Sequence, residues 1–191
     1  MFHLSFSPES SEVYNPDDNW NGEDDLSGNF YIAWDKDALY VGVEVIDDVH
    51  VQFETGRLIY NGDIIEIQVD AELRADFEST THSRDDIQVG LSPGNFTTLN
   101  PEAYIWLPNE ISEPRIELAA RRTDHGYNLE AAIPWIYLGG LPEMETAIGF
   151  CLNLSDKDNP MSDAQEVMFS TAPRRKWGDP TTWGTLVLVD W

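Results

Sequence analysis

The sequence predicts an all-β fold, a single antiparallel β-sandwich of jelly-roll type with about ten strands. Three observations carry that expectation. Short apolar runs recur along the chain with a period of two. Clusters of Gly, Pro, Asn and Asp separate them as turns. No segment keeps helical spacing for longer than a turn or two.

The runs follow in order. Residues 30–34 (FYIAW) open the series. In 38–46 (ALYVGVEVI), Leu39, Val41, Val43 and Val45 point one way and Tyr40, Gly42 and Glu44 the other. In 63–70 (DIIEIQVD), Ile65, Ile67 and Val69 oppose Glu66, Gln68 and Asp70. Then come 86–91, 103–107, 115–121, 127–133, 147–154, 165–170 and 184–189. Pro134 after the run YNLEAAI suits the first turn of a short helix or a sharp corner over Pro134–Leu138. Residues 1–28 are acidic and irregular, and they read as a segment that wraps the sandwich rather than joining a sheet.

Composition narrows the function. A chain of 191 residues, 41% hydrophobic, fits one domain (1–191) able to bury a core without staples. No apolar run reaches the roughly 18 residues of a membrane span. The start, MFHLSFSPES, has no basic region and no long apolar stretch, so it does not read as a signal peptide. The expectation is a piece of a longer exported chain, extracellular or at the cell surface. Cys151 is the single cysteine, so no internal disulfide forms, and within IGFCLNL it reads as a small strand residue. Net charge is −24, which argues against nucleic acid and anionic membranes as partners.

The polar strand phases and the aromatics point to a binding surface. Glu44, Glu66, Gln68, Asp86, Gln88 and Asn153 would line one sheet face if their strands are neighbours. Trp34 and Trp135 lie in apolar runs and read as structural. Tyr60 (LIYNGD) and Trp177 (RRKWGDP) instead stand among polar and charged residues. Exposed aromatics invite a cover. A sugar ring suits them, because its C–H face packs on an aromatic plane while its hydroxyls seek carboxylates and amides. A solvated face and an indole capping one sandwich end would look similar.

Five segments occur in the order of a known family: AWDKDALYVGVEVIDD (33–48), YNGDIIEIQVD (60–70), HGYNLEAAIPW (125–135), AIGFCLNLSDKD (147–158) and WGDPTTWGTLVLV (177–189). Together they resemble carbohydrate-binding module family 9. NWNGEDDLSG (19–28) is similar to the opening of a common variant. The resemblance implies a β-sandwich with structural calcium. It also implies a non-catalytic site in which two aromatics clamp a terminal, typically reducing-end, sugar. The clamp falls on Tyr60 and Trp177 and the hydroxyl-bonding acid on Glu66. Tyr60 stands where the family has Trp, Gln88 where it has Arg, Gly90 where it has a polar side chain, and Arg174 where it has an amide. These departures leave open a shifted specificity or a degenerate site. Arg174, Arg175 and Lys176 beside Trp177 suggest recognition of an acidic sugar. Local charge balance is the alternative.

For metal, Asp47 and Asp48 at a strand end and Asp156 and Asp158 in SDKDN are the candidate calcium ligands. No EF-hand spacing, HExxH, GxSxG elbow, phosphate loop or dinucleotide fingerprint occurs. The expectation is therefore no enzyme, but a module that keeps a parent enzyme or surface protein near its glycan. A structural spacer is one alternative. Another is a b-haem domain on the same fold, with His50, His125, Met144, Met161 and Met168 available as ligands.

Overall fold

The computed structural model describes residues 2–5, 12–15 and 19–189. Two antiparallel sheets pack face to face. One has five strands: β1 (Phe2–Ser5), β3 (Leu26–Trp34), β4 (Ala38–Asp47), β9 (Gly126–Pro134) and β8 (Glu117–Thr123), in that spatial order. The other has seven. Its path runs β2 (Glu12–Tyr14), β11 (Val167–Ser170), β10 (Ala147–Asp156), β5 (Ile64–Asp70), β6 (Asp86–Ser92) and β7 (Glu102–Leu107), and β12 (Gly184–Val187) also pairs with β10.

The alternation read from the sequence explains the core. Leu39, Val41, Val43 and Val45 of β4 face Ile65, Ile67 and Val69 of β5, together with Val89, Leu129, Ile133, Leu152 and Leu154, in one cluster. Each such side chain contributes roughly 1.5–3 kcal/mol on burial. Trp135 is buried and Trp34 packs against the same cluster. Pro134 ends β9, and the expected corner is a 3₁₀ turn over Trp135–Tyr137. Cys151 is fully buried, and burial pushes its thiol up to about 12.

Two expectations need correction. Residues 2–5 and 12–14 do join sheets, as edge strands beside β3 and β11. The two runs that pair, FHLS and EVY, hold one acid between them, and the other acids of residues 1–28 lie outside them. Glu44 does not share the polar face of Glu66, Gln68, Asp86, Gln88 and Asn153. It lies on β4, in the other sheet, where it accepts a hydrogen bond from the Tyr31 hydroxyl at 3.1 Å.

The polar face of the seven-stranded sheet is not open to solvent along its length. Every residue of β5 and β6 is buried. Two roofs cover that face. One is the 3₁₀ segment Gly56–Asn61, whose Ile59 packs on Ile64 and Tyr104. The other is the 171–183 segment, where Ala172 and Trp183 cover Cys151.

Candidate functional site

A cavity of about 880 Å³ lies on this face, and its lining includes Tyr60, Glu66, Gln88, Trp106, Arg175 and Trp177. Tyr60 projects from the first roof. Neighbouring Ile59 is buried, and Gln52 donates from its amide to the Ile59 carbonyl at 3.0 Å, so the backbone is fixed while the phenol points outward. Trp177 projects from the second roof, at the tip of a tight turn closed by a bond from the Asp179 amide to the Lys176 carbonyl at 3.2 Å. Gly178 follows it with φ +83, the left-handed value a type II-like turn requires at its third position. Both rings stand clear of the core: Tyr60 is 40% and Trp177 74% exposed.

The floor is a polar network. Gln68 pairs with Gln88 across β5 and β6, and Glu66 pairs with Gly90. The Gln88 amide donates to Glu66 Oε2 at 2.9 Å. The Arg175 guanidinium donates from Nε to Gln68 Oε1 at 2.9 Å, and its Nη2 lies 3.6 Å from Glu66 Oε2. Burial raises the Glu66 carboxyl above its ordinary range, while Arg175 and the Gln88 bond hold it back.

Arg174 is exposed and is not among the lining residues; its neighbour Arg175 takes the inward place. Sequence reading noted the basic triplet but had no strand alternation there to say which side chain turns in. It also missed Trp106. The register slips between Gln88 and Val89, so that Gln88 faces Leu107 while Val89 faces Ile105. Trp106 is the extra residue of this bulge. Its indole lies over Gly90, where a Cβ would stand 2.3 Å from the ring. Its Nε1 donates to the Arg57 carbonyl at 2.9 Å, and its ring meets Tyr60 edge-on at 6.2 Å. Gly90, read as a lost polar group, is thus the space that admits a third aromatic.

A family model described as "Carbohydrate family 9 binding domain-like" matches residues 7–191. The chain belongs to this family. Among solved structures, a family 9 module from Caldicellulosiruptor kristjanssonii in complex with cellotriose is similar, with TM-score 0.64 and 20% identity over 90% of this chain and 78% of that one. The same organism's module in complex with glucose gives TM-score 0.63 and 20% identity, over 88% and 78%. A putative carbohydrate-binding protein from Bacteroides uniformis gives TM-score 0.59 and 10% identity, over 98% and 86%. These likenesses bear on the fold. A comparison with curated proteins finds no match. No helix among the described residues is long and apolar enough to cross a membrane.

The family 9 module also gathers the four aspartates read as metal ligands. Oxygens of Asp47, Asp156 and Asp158 lie within 4.8 Å of one another, as do those of Asp25, Asp48 and Asp158. Asp25 comes from the NWNGEDDLSG segment and was not singled out in the sequence. Asp47 Oδ1, Asp156 Oδ1 and Asp158 Oδ1 are buried with no hydrogen-bond partner. Burial and the crowding of like charges push Asp156 up to about 10 and Asp158 to about 7. His50 adjoins the cluster, 3.3 Å from Asp47 and 2.9 Å from Asp63. Burial alone would push its imidazole down, but these carboxylates outweigh it and hold it up at about 10. An all-oxygen donor set with orphaned carboxylates fits a hard divalent cation such as calcium.

Proposed function

We propose that this module binds a glycan end in the cavity between Tyr60 and Trp177, and acts by binding rather than by catalysis. One observation carries the reading: two exposed aromatics on separate roofs share a cavity whose floor is Glu66, Gln88 and Arg175. Stacking on the flat faces would take the C–H side of a sugar ring, with Glu66 and Gln88 bonding its hydroxyls. The charge of Arg175 is balanced by Glu66 and that of Arg57 by Glu110, 3.2 Å away, so the floor suits neutral hydroxyls. An acidic substituent would sit at the Lys176 rim. Such a site gives affinity in the micromolar range or weaker. The module would raise the effective concentration of an exported parent enzyme or surface protein at its polysaccharide. Calcium held by Asp25, Asp47, Asp48, Asp156 and Asp158 would bind the ends of β4 and β10 to the loop before β3.

Titration calorimetry against neutral and acidic mono- and disaccharides tests the site. The expected result is binding that falls at least tenfold in Trp177→Ala while circular dichroism and melting temperature stay unchanged. Equal affinity in that variant, or no binding by the wild type to any sugar of the panel, rejects the reading.

A further inference from the structure

The five-stranded sheet turns its polar phase outward, on the far side of the sandwich from the cavity of Tyr60 and Trp177. A groove of about 650 Å³ crosses this face, and its lining includes Tyr31, Tyr40, Gly42, Glu117, Glu130 and Ala132. Strand register lays out its bed in rows. Ala33, Tyr40, Ala132 and Glu117 form one row, and Tyr31, Gly42, Glu130 and Ala119 form the next. A notch therefore opens at Gly42. Tyr40 and Glu44 stand before and after it on β4, and Tyr31 and Glu130 stand on either side of it.

The two phenols are hooked in opposite directions. Tyr31 donates to Glu44 Oε2 at 3.1 Å, and Tyr40 donates to Asp35 Oδ2 at 3.0 Å. Asp35 precedes β4 and Glu44 lies near its end, so the rings splay and leave the floor at Gly42 open between them. Nothing in the backbone requires a glycine there. Gly42 is mid-strand with register partners on both sides, and a Cβ would meet nothing nearer than Tyr31 Cβ at 3.8 Å, an ordinary contact. Glycine weakens a strand interior, and where no bulge or close packing demands it, the space it leaves is room for a guest.

The charge of the groove says which guest. The charged residues of the described lining are Glu117 and Glu130, both anionic. Arg121 lies one row further on, in register with Asn128 and outside the lining. Lys36, in the turn before β4, is held by Asp37 at 2.7 Å. The Tyr40 phenol is raised first by its bond to Asp35, then by desolvation and by the charges of Asp35, Asp37 and Glu117.

We propose that this groove binds a linear glycan carrying free amines, with an ammonium drawn between the tyrosine rings and Glu130, and ring hydroxyls bonded to Glu117. An ammonium gains from aromatic faces and carboxylates together. The polar groups offered to a guest are acceptors, because the phenol protons are already given to Glu44 and Asp35. Ammonium and hydroxyl groups can all donate to them. An extended basic peptide brings a backbone carbonyl with each N–H, and the strands under the groove have their own amides engaged in the sheet. The proposal rests on no property of the cavity on the other face.

Calorimetry with a fully deacetylated glucosamine tetramer, its N-acetylated counterpart and tetralysine tests the groove in the wild type, Gly42→Thr, Tyr40→Ala and Trp177→Ala. The wild type is expected to bind the amine-bearing tetramer about tenfold more tightly than the acetylated one. Gly42→Thr keeps every charge and favours the strand, so it should melt no lower than the wild type while losing affinity about tenfold. Tyr40→Ala should lose about fivefold. No binding of the tetramer, or equal affinity in the wild type and Gly42→Thr, leaves only diffuse attraction to an acidic surface and overturns the groove. Equal affinity for the two tetramers overturns the need for a cation. Tetralysine bound more tightly than the glycan, and weakened by Gly42→Thr, overturns the glycan in favour of a basic peptide. Binding lost in Trp177→Ala and kept in Gly42→Thr assigns the tetramer to the cavity and overturns this site. If Gly42→Thr does not fold, NMR of the wild type decides: backbone amides of Tyr31, Gly42 and Glu130 unmoved by the tetramer overturn the proposal.

Discussion

Arg174 and Arg175 are adjacent, alike in chemistry and opposite in environment. The Arg175 side chain is nearly enclosed, with its guanidinium near Gln68, Glu66 and the Met168 sulfur, which lies 3.3 Å from Nη1. Removing it leaves Glu66 buried without its counter-charge and Gln68 short of a donor. Losses of this kind cost roughly 3 kcal/mol. Arg175→Ala should therefore lower stability by about that amount and weaken sugar binding with it, whereas Arg174→Ala should stay within about 0.5 kcal/mol. Urea unfolding of the two variants is the check, and equal midpoints would contradict the assignment. The pair also marks how far the sequence could be read at this scale. Tyr60, Glu66, Gln88 and Trp177 were legible, because each is a polar-phase or loop residue whose type fits the chemistry. Arg175 and Trp106 were not, because a turn and a bulge decide their directions and neither leaves a periodic trace.

Strands and loops were legible to different degrees for a similar reason. Strand β4 alternates because only one of its faces is buried, and its pattern survives in the burial of its residues. Strands β5 and β6 alternate in sequence too, yet both of their faces are covered, since the roofs come from distant segments. The acid cluster at the β4 and β10 ends is likewise assembled from distant segments, and it sets the pH behaviour. Asp156, Asp158 and Asp63 are raised to about 10, 7 and 7 by burial and by neighbouring carboxylates, Asp47 among them in each case. A raised carboxyl binds its proton more tightly in the folded state than in the unfolded one. Its contribution is full below the unfolded value near 3.8 and is lost as pH rises through the folded value. His50, raised to about 10, acts in the same sense. The chelated module should therefore melt at a lower temperature at pH 8 than at pH 5. Calcium should flatten or reverse this slope, because the ion takes the place of the protons. Melting curves with and without chelator test this, and a chelated protein that gains stability from pH 5 to 8 would contradict it.

At the scale of the whole molecule, charge and binding separate. The chain carries 35 acidic against 11 basic residues. Self-repulsion of that excess opposes the compact state. Among the described residues, the attraction that salt would weaken is limited: Lys36–Asp37 and Arg57–Glu110 are exposed pairs, whereas His50 and Arg175 make theirs in buried settings where screening is slight. Sodium chloride should therefore raise the melting temperature, since repulsion over the surface is screened more than any pair is lost. Sugar binding should respond differently. A neutral ring stacked on Tyr60 and Trp177 and bonded by Glu66 and Gln88 brings no net charge to the cavity. Its affinity should stay within about twofold between low and high salt, because the screened terms have no charged guest to act on. An acidic guest held at the Lys176 rim would instead lose affinity as salt rises, provided that local contact outweighs the repulsion of the remaining surface. Melting curves and calorimetry at matched salt concentrations separate these outcomes. A melting temperature that falls with salt would show that pairing, rather than repulsion, dominates the electrostatics of the fold.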